Sequence, residues 1–292
     1  MSMRALALAA TLAALPAAAP TPQAKDAGVI WASSWEEAKI EAEERNVPIF
    51  FTVQQDENPG CKQMESAFRD GSFIAASRRV VCVVSNPDTK HGVREVMVGK
   101  VKTPFCRAYD GITCDVHTRC QNVIANFVDT KSGSFDIPMQ IWCRPNGTEL
   151  FKFTGPNGSG VQTAPGLIKD LERALDRISG AHMSKRDWEE IKKLLQDGDE
   201  AQVKTEYKLA LACFKKVMDC KFEKFAARGK ERYEGFIKQM VNVVSRALKQ
   251  YEKAAKDSPQ QKEVKPLLQK IAKEMKGTEA GTAADDALKQ IK

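Results

Sequence analysis

Residues 48–68 read PIFFTVQQDENPGCKQMESAF, and the pattern changes character twice along the way. Pro48 to Val53 is a short apolar run rich in β-formers, too short for a core helix, and it predicts a buried strand. A polar loop follows. Cys61, Met64 and Phe68 then recur at helical spacing, with Glu65 and Arg69 on other faces, so a helix opens close to Cys61. A thiol at a helix N-terminus is where a thiolate is stabilised, because unpaired N–H groups and the helix dipole favour negative charge there.

Working outward, Ser34-Trp35-Glu36-Glu37 has the Ser-x-x-Glu form of a capping box and predicts a helix start. Trp35, Ala38 and Ala42 give that helix an apolar stripe, and Asn46 with Pro48 stops it. Beyond the central stretch, Asp70-Gly71 is a turn, Ser72 to Ser77 a short helix, and Val80 to Val84 a second buried strand. Pro138 to Cys143 reads as a strand, Arg144 to Gly147 as a turn with the Asn-Gly signal, and Glu149 to Phe153 as the partner strand. Gly155, Gly158 and Gly160 mark a loop. Pro165 sits at a helix start, with Leu167, Leu171, Leu175 and Ile178 on one face of a helix ending at Gly180.

PIFFTV, a loop and CKQME resemble the active-site strand and helix of the thioredoxin superfamily, especially its exported members. SSWEEAKIEAEERNVP matches the tryptophan-containing helix upstream of that strand. The dipeptide Ile137-Pro138 in DIPMQIWCRPNGTEL matches the family's cis-proline, which faces the active site. The resemblance spans Trp31 to Ser179 and implies an α/β thioredoxin-like fold over residues 25–181, with Cys61 as the reactive thiol and Pro138 shaping the surface where a substrate disulfide or peptide lies. The sequence departs from the family at the redox motif itself. Where the family has C-x-x-C, this chain has Asn58, Pro59, Gly60 and Cys61, so the nucleophilic first cysteine is missing. A lone thiol forms a mixed disulfide but has no local partner to release it.

The second departure is an insertion over about residues 85–135. It carries FCRAYDGITCDVHTRC, with Cys106, Cys114 and Cys120 and with His117 three residues from each of the last two. These cysteines are candidate resolving or disulfide partners for Cys61 and for each other. Two bridges among the four allow three pairings, and spacing does not choose between them. Cys106, Cys114, His117 and Cys120 are also the right donor types for zinc or copper, although paired C-x-x-C knuckles are absent and a six-residue span turns Cys114 and Cys120 well apart on a helix. Cys82 and Cys143 lie mid-strand in apolar runs and read as core cysteines. Cys213 and Cys220 are expected to be core as well. His91 and His182 stand alone and read as surface residues.

Composition sets the wider frame. Residues 1–24 combine Arg4, an apolar ALALAATLAAL run and small residues, the form of a signal peptide, and predict an exported protein of a bacterial periplasm or the extracellular space. Eight cysteines in such a compartment favour disulfides. Residues 183–292 hold 25 Lys+Arg against 18 Asp+Glu, whereas residues 1–182 hold 20 of each, so the net charge of +7 belongs wholly to the C-terminal part. That lysine-rich part, residues 182–292, is expected to be an all-α region: helices over 184–195, 201–225 and 229–256, a break at Pro259, another helix over 262–275, and a weakly patterned tail. Its basic surface suits an anionic surface or an acidic protein; few aromatics lie near the lysines, so nucleic acid is not expected. No Ser-His-Asp order, glycine-rich phosphate loop or carboxylate pair stands out, and no organic cofactor is expected. Three functions therefore remain open: thiol–disulfide chemistry or thiol-dependent binding through Cys61, with protein thiols or disulfides as partners; a non-catalytic interaction module; or a zinc- or copper-binding protein through the Cys106–Cys120 insertion.

Overall fold

The computed structural model describes residues 28–98, 101–109, 111–128, 135–155, 160–256 and 258–291. The segment read as a signal peptide and part of the glycine loop lie outside the described residues. Within them the chain is mixed α/β. Helix α1 (Trp35–Arg45) leads into strand β1 (Ile49–Val53), and then come helices α2 (Pro59–Arg69) and α3 (Gly71–Ser77) and strand β2 (Val81–Ser85). Strands β3 (Val93–Val98) and β4 (Val101–Cys106) follow, then the short helices α4 (Cys114–Arg119) and α5 (Gln121–Ile124). Strands β5 (Met139–Cys143) and β6 (Glu149–Thr154) and helix α6 (Ala164–Asp176) complete this part.

The main sheet has four strands in the order β2-β1-β5-β6. β1 runs parallel to β2, whereas β5 is antiparallel to both β1 and β6. All five residues of β1 are buried, as are those of β2 and β5, because helices cover both faces. The alternation of side chains divides the core in two. On one face Phe50, Cys82, Val84 and Trp142 pack with Met64, Phe73 and Leu167 from α2, α3 and α6. On the other, Ile49, Phe51, Val83, Ile141 and Cys143 pack with Trp35, Ala38 and Ala42 of α1. Cys82 and Cys143 flank β1 as core thiols, in keeping with their apolar strand positions.

Local signals operate much as the residues dictate. Ser34 Oγ accepts the Glu37 N–H at 3.1 Å, but the Glu37 carboxylate takes the Ser33 hydroxyl instead, so only half of the capping box forms. Asn46 ends α1 in the left-handed conformation. The Ile137–Pro138 bond is cis.

The insertion holds more structure than the sequence pattern indicated. β3 and β4 form a separate antiparallel ribbon that pairs Val93 with Cys106. From there the chain wraps the β2 edge, since Ile112 and Val116 pack on one face of the sheet and Cys120, Val123 and Ile124 on the other.

Residues 183–291 are helical: α7 (Lys185–Val203), α8 (Tyr207–Met218), α9 (Glu223–Lys253), α10 (Pro259–Glu274) and α11 (Glu279–Gln290). The expected helix over 184–195 runs on through Gly198 to Val203, and the expected helix over 201–225 is split by turns at 204–206 and 219–222. Gly198 lies within α7, where a Cβ would come 2.5 Å from Phe214 Cε1, and Gly229 lies within α9 against the last turn of α8. Both are points of close helix approach, not breaks. The weakly patterned tail forms α11, whose Ala280, Ala284 and Ala287 join the core around Phe214, Leu268 and Ile271. Cys213 is buried on α8, and Cys220 is half-buried just past its end. Among the described residues, no helix is long and apolar enough to cross a membrane.

The helical region attaches at the C-terminal end of α1. Arg45, 1% exposed, donates to the carbonyl oxygens of Arg78, Val80 and Met183 and pairs with the Glu41 carboxylate at 2.6 Å. Lys185 and Arg228 reach Glu41 and Glu44, and Trp188 Nε1 donates to Glu44. These contacts gather where β1 and β2 begin. Arg45→Ala leaves several buried carbonyls unpaired and should cost about 3–5 kcal/mol in urea unfolding. Arg45→Lys should recover only part of that, because one ammonium cannot span the three carbonyls. A loss below about 1 kcal/mol for Arg45→Ala would show that the network is incidental.

Candidate metal centre

The opposite end of the sheet, where β1 and β2 finish, carries the polar chemistry. β2 ends at Ser85 and delivers Asn86, which is 1% exposed. Its Nδ2 donates to Asp56 Oδ1 at 2.9 Å and to the Tyr109 hydroxyl oxygen at 2.8 Å, and its Oδ1 accepts the Asp88 N–H at 2.9 Å. Its carbonyl oxygen lies 2.9 Å from His117 Nδ1. One residue thus joins the loop after β1, the loop after β2, the insertion and α4.

Around this hub His91, Cys106, Cys114 and His117 converge, each offering one donor atom, with all four atoms within 4.8 Å of one another. Three of these were candidates from their sequence spacing. The fourth, His91, corrects the surface reading: its side chain is only 6% exposed. The β3–β4 register explains why, since pairing Val93 with Cys106 brings the residues just before β3 beside Cys106. Cys120 is not in the group. It is buried in the other layer of the core with Val123, Ile124 and Phe127, beneath Trp35.

Each imidazole is oriented by a partner on its far nitrogen. His91 Nε2 lies 2.8 Å from Asp56 Oδ1, which leaves Nδ1 toward Cys114 Sγ at 3.7 Å. His117 gives its Nδ1–H to the Asn86 carbonyl, and its Nε2 has no hydrogen-bond partner although the residue is fully buried. Burial keeps the His117 pKa below the usual value, the Asn86 carbonyl notwithstanding, so the ring is neutral and its free nitrogen is a lone-pair donor. Tyr109 packs edge-on against both rings, with centroids 5.5 and 5.1 Å away. Burial pushes the Cys106 thiol up to about 11, although the N–H groups of Ala108 and Tyr109 act on its sulfur and favour the thiolate. For Asp56, burial raises the pKa, but the hydrogen bonds from His91 and Asn86 outweigh it and hold the carboxyl below its usual range.

Two cysteine sulfurs and two imidazole nitrogens are the S2N2 donor set that tetrahedral zinc takes. Zinc at bond lengths of about 2.0–2.3 Å needs donors about 3.3–3.8 Å apart, a modest contraction of this arrangement. The Asp56–His91 and Asn86–His117 pairs are the outer hydrogen bonds that metal-bound histidines carry. The residues present fit the ion.

Cys61 lies apart from this group. It is 5% exposed in the first turn of α2, with Gln55 N–H pointing at its sulfur at 3.3 Å. Asn58 caps that helix, its Oδ1 accepting the Gly60 and Cys61 N–H groups, and its Nδ2 donates to the Ile137 carbonyl oxygen. Burial pushes the Cys61 thiol up to about 11; the Gln55 N–H opposes this, while the charges of Asp56, Asp88 and Glu65 reinforce it. The thiolate expected at this helix N-terminus is therefore suppressed. Pro138 stands opposite, where a Cβ on Gly60 would come 2.8 Å from its Cδ. All eight cysteines are free thiols in the structure, and His182 is exposed.

No protein-family model matches the chain, and no curated protein matches it.

Because the folded-state thiol titrates above its usual value, Cys61 is protonated at neutral pH. Its alkylation by iodoacetamide, followed by peptide mapping, should be slow near neutrality and should keep rising as the pH approaches about 11. A plateau reached below pH 8 would instead mark an activated thiol.

Proposed function

We propose that this chain is an exported thioredoxin-like protein whose site at His91, Cys106, Cys114 and His117 holds a metal ion, zinc being the best match to the donors. The observation that carries the reading is His117 Nε2. A buried polar atom without a partner is costly, and this one sits on a ring already aligned by Asn86, in a group whose other members are two thiols and a carboxylate-oriented histidine. A metal ion would satisfy that nitrogen and would convert both thiols to bound thiolates. Four protein donors leave no open coordination position, so the role is to hold the ion and to fasten the insertion, with no substrate activated on the metal.

Several features support the thioredoxin-like part of the reading. They are the strand order, the parallel β1–β2 pair flanked by antiparallel β5 and β6, and the cis Ile137–Pro138 bond ahead of β5. The basic, apolar and small-residue run of residues 1–24 supports export. Turnover of disulfides at Cys61 is the weaker reading, because that thiol is buried and protonated and Asn58 occupies the place of its partner.

Metal content decides the matter. The purified full chain, kept reduced and equilibrated with zinc, should retain about one ion per chain by elemental mass spectrometry. His117→Ala and Cys114→Ser should each lose it while keeping the far-ultraviolet circular dichroism of the parent. Lowering the pH should release the ion, since thiols and imidazoles take up protons as they let go. Retention of copper in preference to zinc would keep the site and change the ion. A reduced chain that takes up neither would overturn the proposal.

A further inference from the structure

The same four donors contain two thiols, Cys106 and Cys114, whose sulfurs lie within 4.8 Å of each other. Building on the metal-binding reading, we infer that the site is gated by thiol oxidation: an external disulfide converts Cys106 and Cys114 to a Cys106–Cys114 disulfide and thereby releases the metal.

The geometry favours this pair over the other cysteines. Cys114 and Cys220 are the two half-exposed cysteines, the other six being buried, and Cys220 lies past the end of α8 in the helical region, outside the four-donor group. Attack therefore begins at Cys114, and the sulfur within reach to complete it is Cys106, since the two donor atoms already lie within 4.8 Å. The backbone holds both ends of the intervening loop together, with Cys106 N–H donating to the Ile112 carbonyl. Cys114 opens a six-residue helix whose N-cap, Thr113, makes no side-chain cap, so the first turn is lightly restrained.

The step balances as ordinary thiol–disulfide exchange. The Cys114 thiolate attacks one sulfur of a small-molecule or protein disulfide RSSR and expels RS⁻, giving a mixed disulfide. The Cys106 thiolate attacks the Cys114 sulfur and expels the second RS⁻. Two electrons pass from the protein pair to RSSR, which leaves as two thiols after protonation, and the zinc departs because two of its four donors have become a neutral disulfide. His91 and His117 are unchanged, and two imidazoles alone are a weak site. A dithiol reverses the reaction and restores the donors. A coordinated thiolate is a poorer nucleophile than a free one, so bound metal would slow the exchange without blocking it.

The test uses the full chain loaded with zinc and challenged with oxidised glutathione. Zinc release is read with a chromophoric chelator, and thiols are mapped by alkylation and mass spectrometry. Zinc should leave in step with the loss of two alkylatable thiols, mapped to Cys106 and Cys114, and dithiothreitol with added zinc should restore both. Asp56→Asn keeps both thiols and all four donors but weakens the orientation of His91. It should lower zinc affinity and speed oxidation by about 10–100-fold each. Zinc that stays bound while other cysteines oxidise, release without a 106–114 bridge, or a bridge from Cys61 would each overturn the gating while leaving metal binding intact. A reduced chain that binds no zinc or copper before any oxidant is added would overturn both.

Discussion

The structure around the site depends on burying Asn86 with its groups satisfied. A primary amide and a peptide carbonyl at the end of a core strand are costly unless every donor and acceptor is met. Here the partners come from four different segments: Asp56 after β1, Asp88 on the next loop, Tyr109 beyond the ribbon and His117 on α4. Meeting that requirement folds the insertion back over the ends of β1 and β2. The convergence of His91, Cys106, Cys114 and His117 is the geometric result. A long excursion that would otherwise be loose is pinned at its start, middle and end.

The two ends of the sheet carry different burdens. Where β1 and β2 begin, Arg45 satisfies carbonyls from the β2 entry and from Met183, and so joins the helical region to the α/β part. The exposed pairs nearby, such as Arg228 with Glu44, add orientation and little energy. Where the strands finish, the contacts belong to the insertion. The helical region thus docks at the far end from the proposed metal site, and the excess of lysines lies away from it.

The strand, loop and helix of residues 48–68 were legible because a burial requirement on β1 and a period near 3.6 on α2 are both local patterns. The strands on either side were legible for the same reason. Three of the four donors showed themselves by type and spacing. His91 did not, because only the β3–β4 pairing brings it to Cys106, and a ribbon with exposed Val93, Met97 and Val101 gives no burial signal. Cys120 looked like a donor by proximity in sequence, yet at six residues from Cys114 the chain has turned to the other layer of the core. Gly198 and Gly229 sit inside helices where two helices approach closely, and there tertiary packing overrides a propensity cost of about 1 kcal/mol.

The loop of residues 54–58 links the silent thiol to the proposed metal site. Its Gln55 N–H points at Cys61, while its Asp56 carboxylate turns away to His91 and Asn86. A redox loop needs the reverse: a local positive potential that draws the thiolate out. Here burial, reinforced by the nearby Asp56 and Asp88 charges, holds the Cys61 proton on, and Asn58 spends its side chain on capping α2 and binding the Ile137 carbonyl. The same carboxylate that disfavours a Cys61 thiolate favours His91 as a donor, because it fixes the ring and leaves Nδ1 free. Within the proposed function, the thiol chemistry of the chain therefore sits at the Cys106–Cys114 pair and not at the α2 N-terminus.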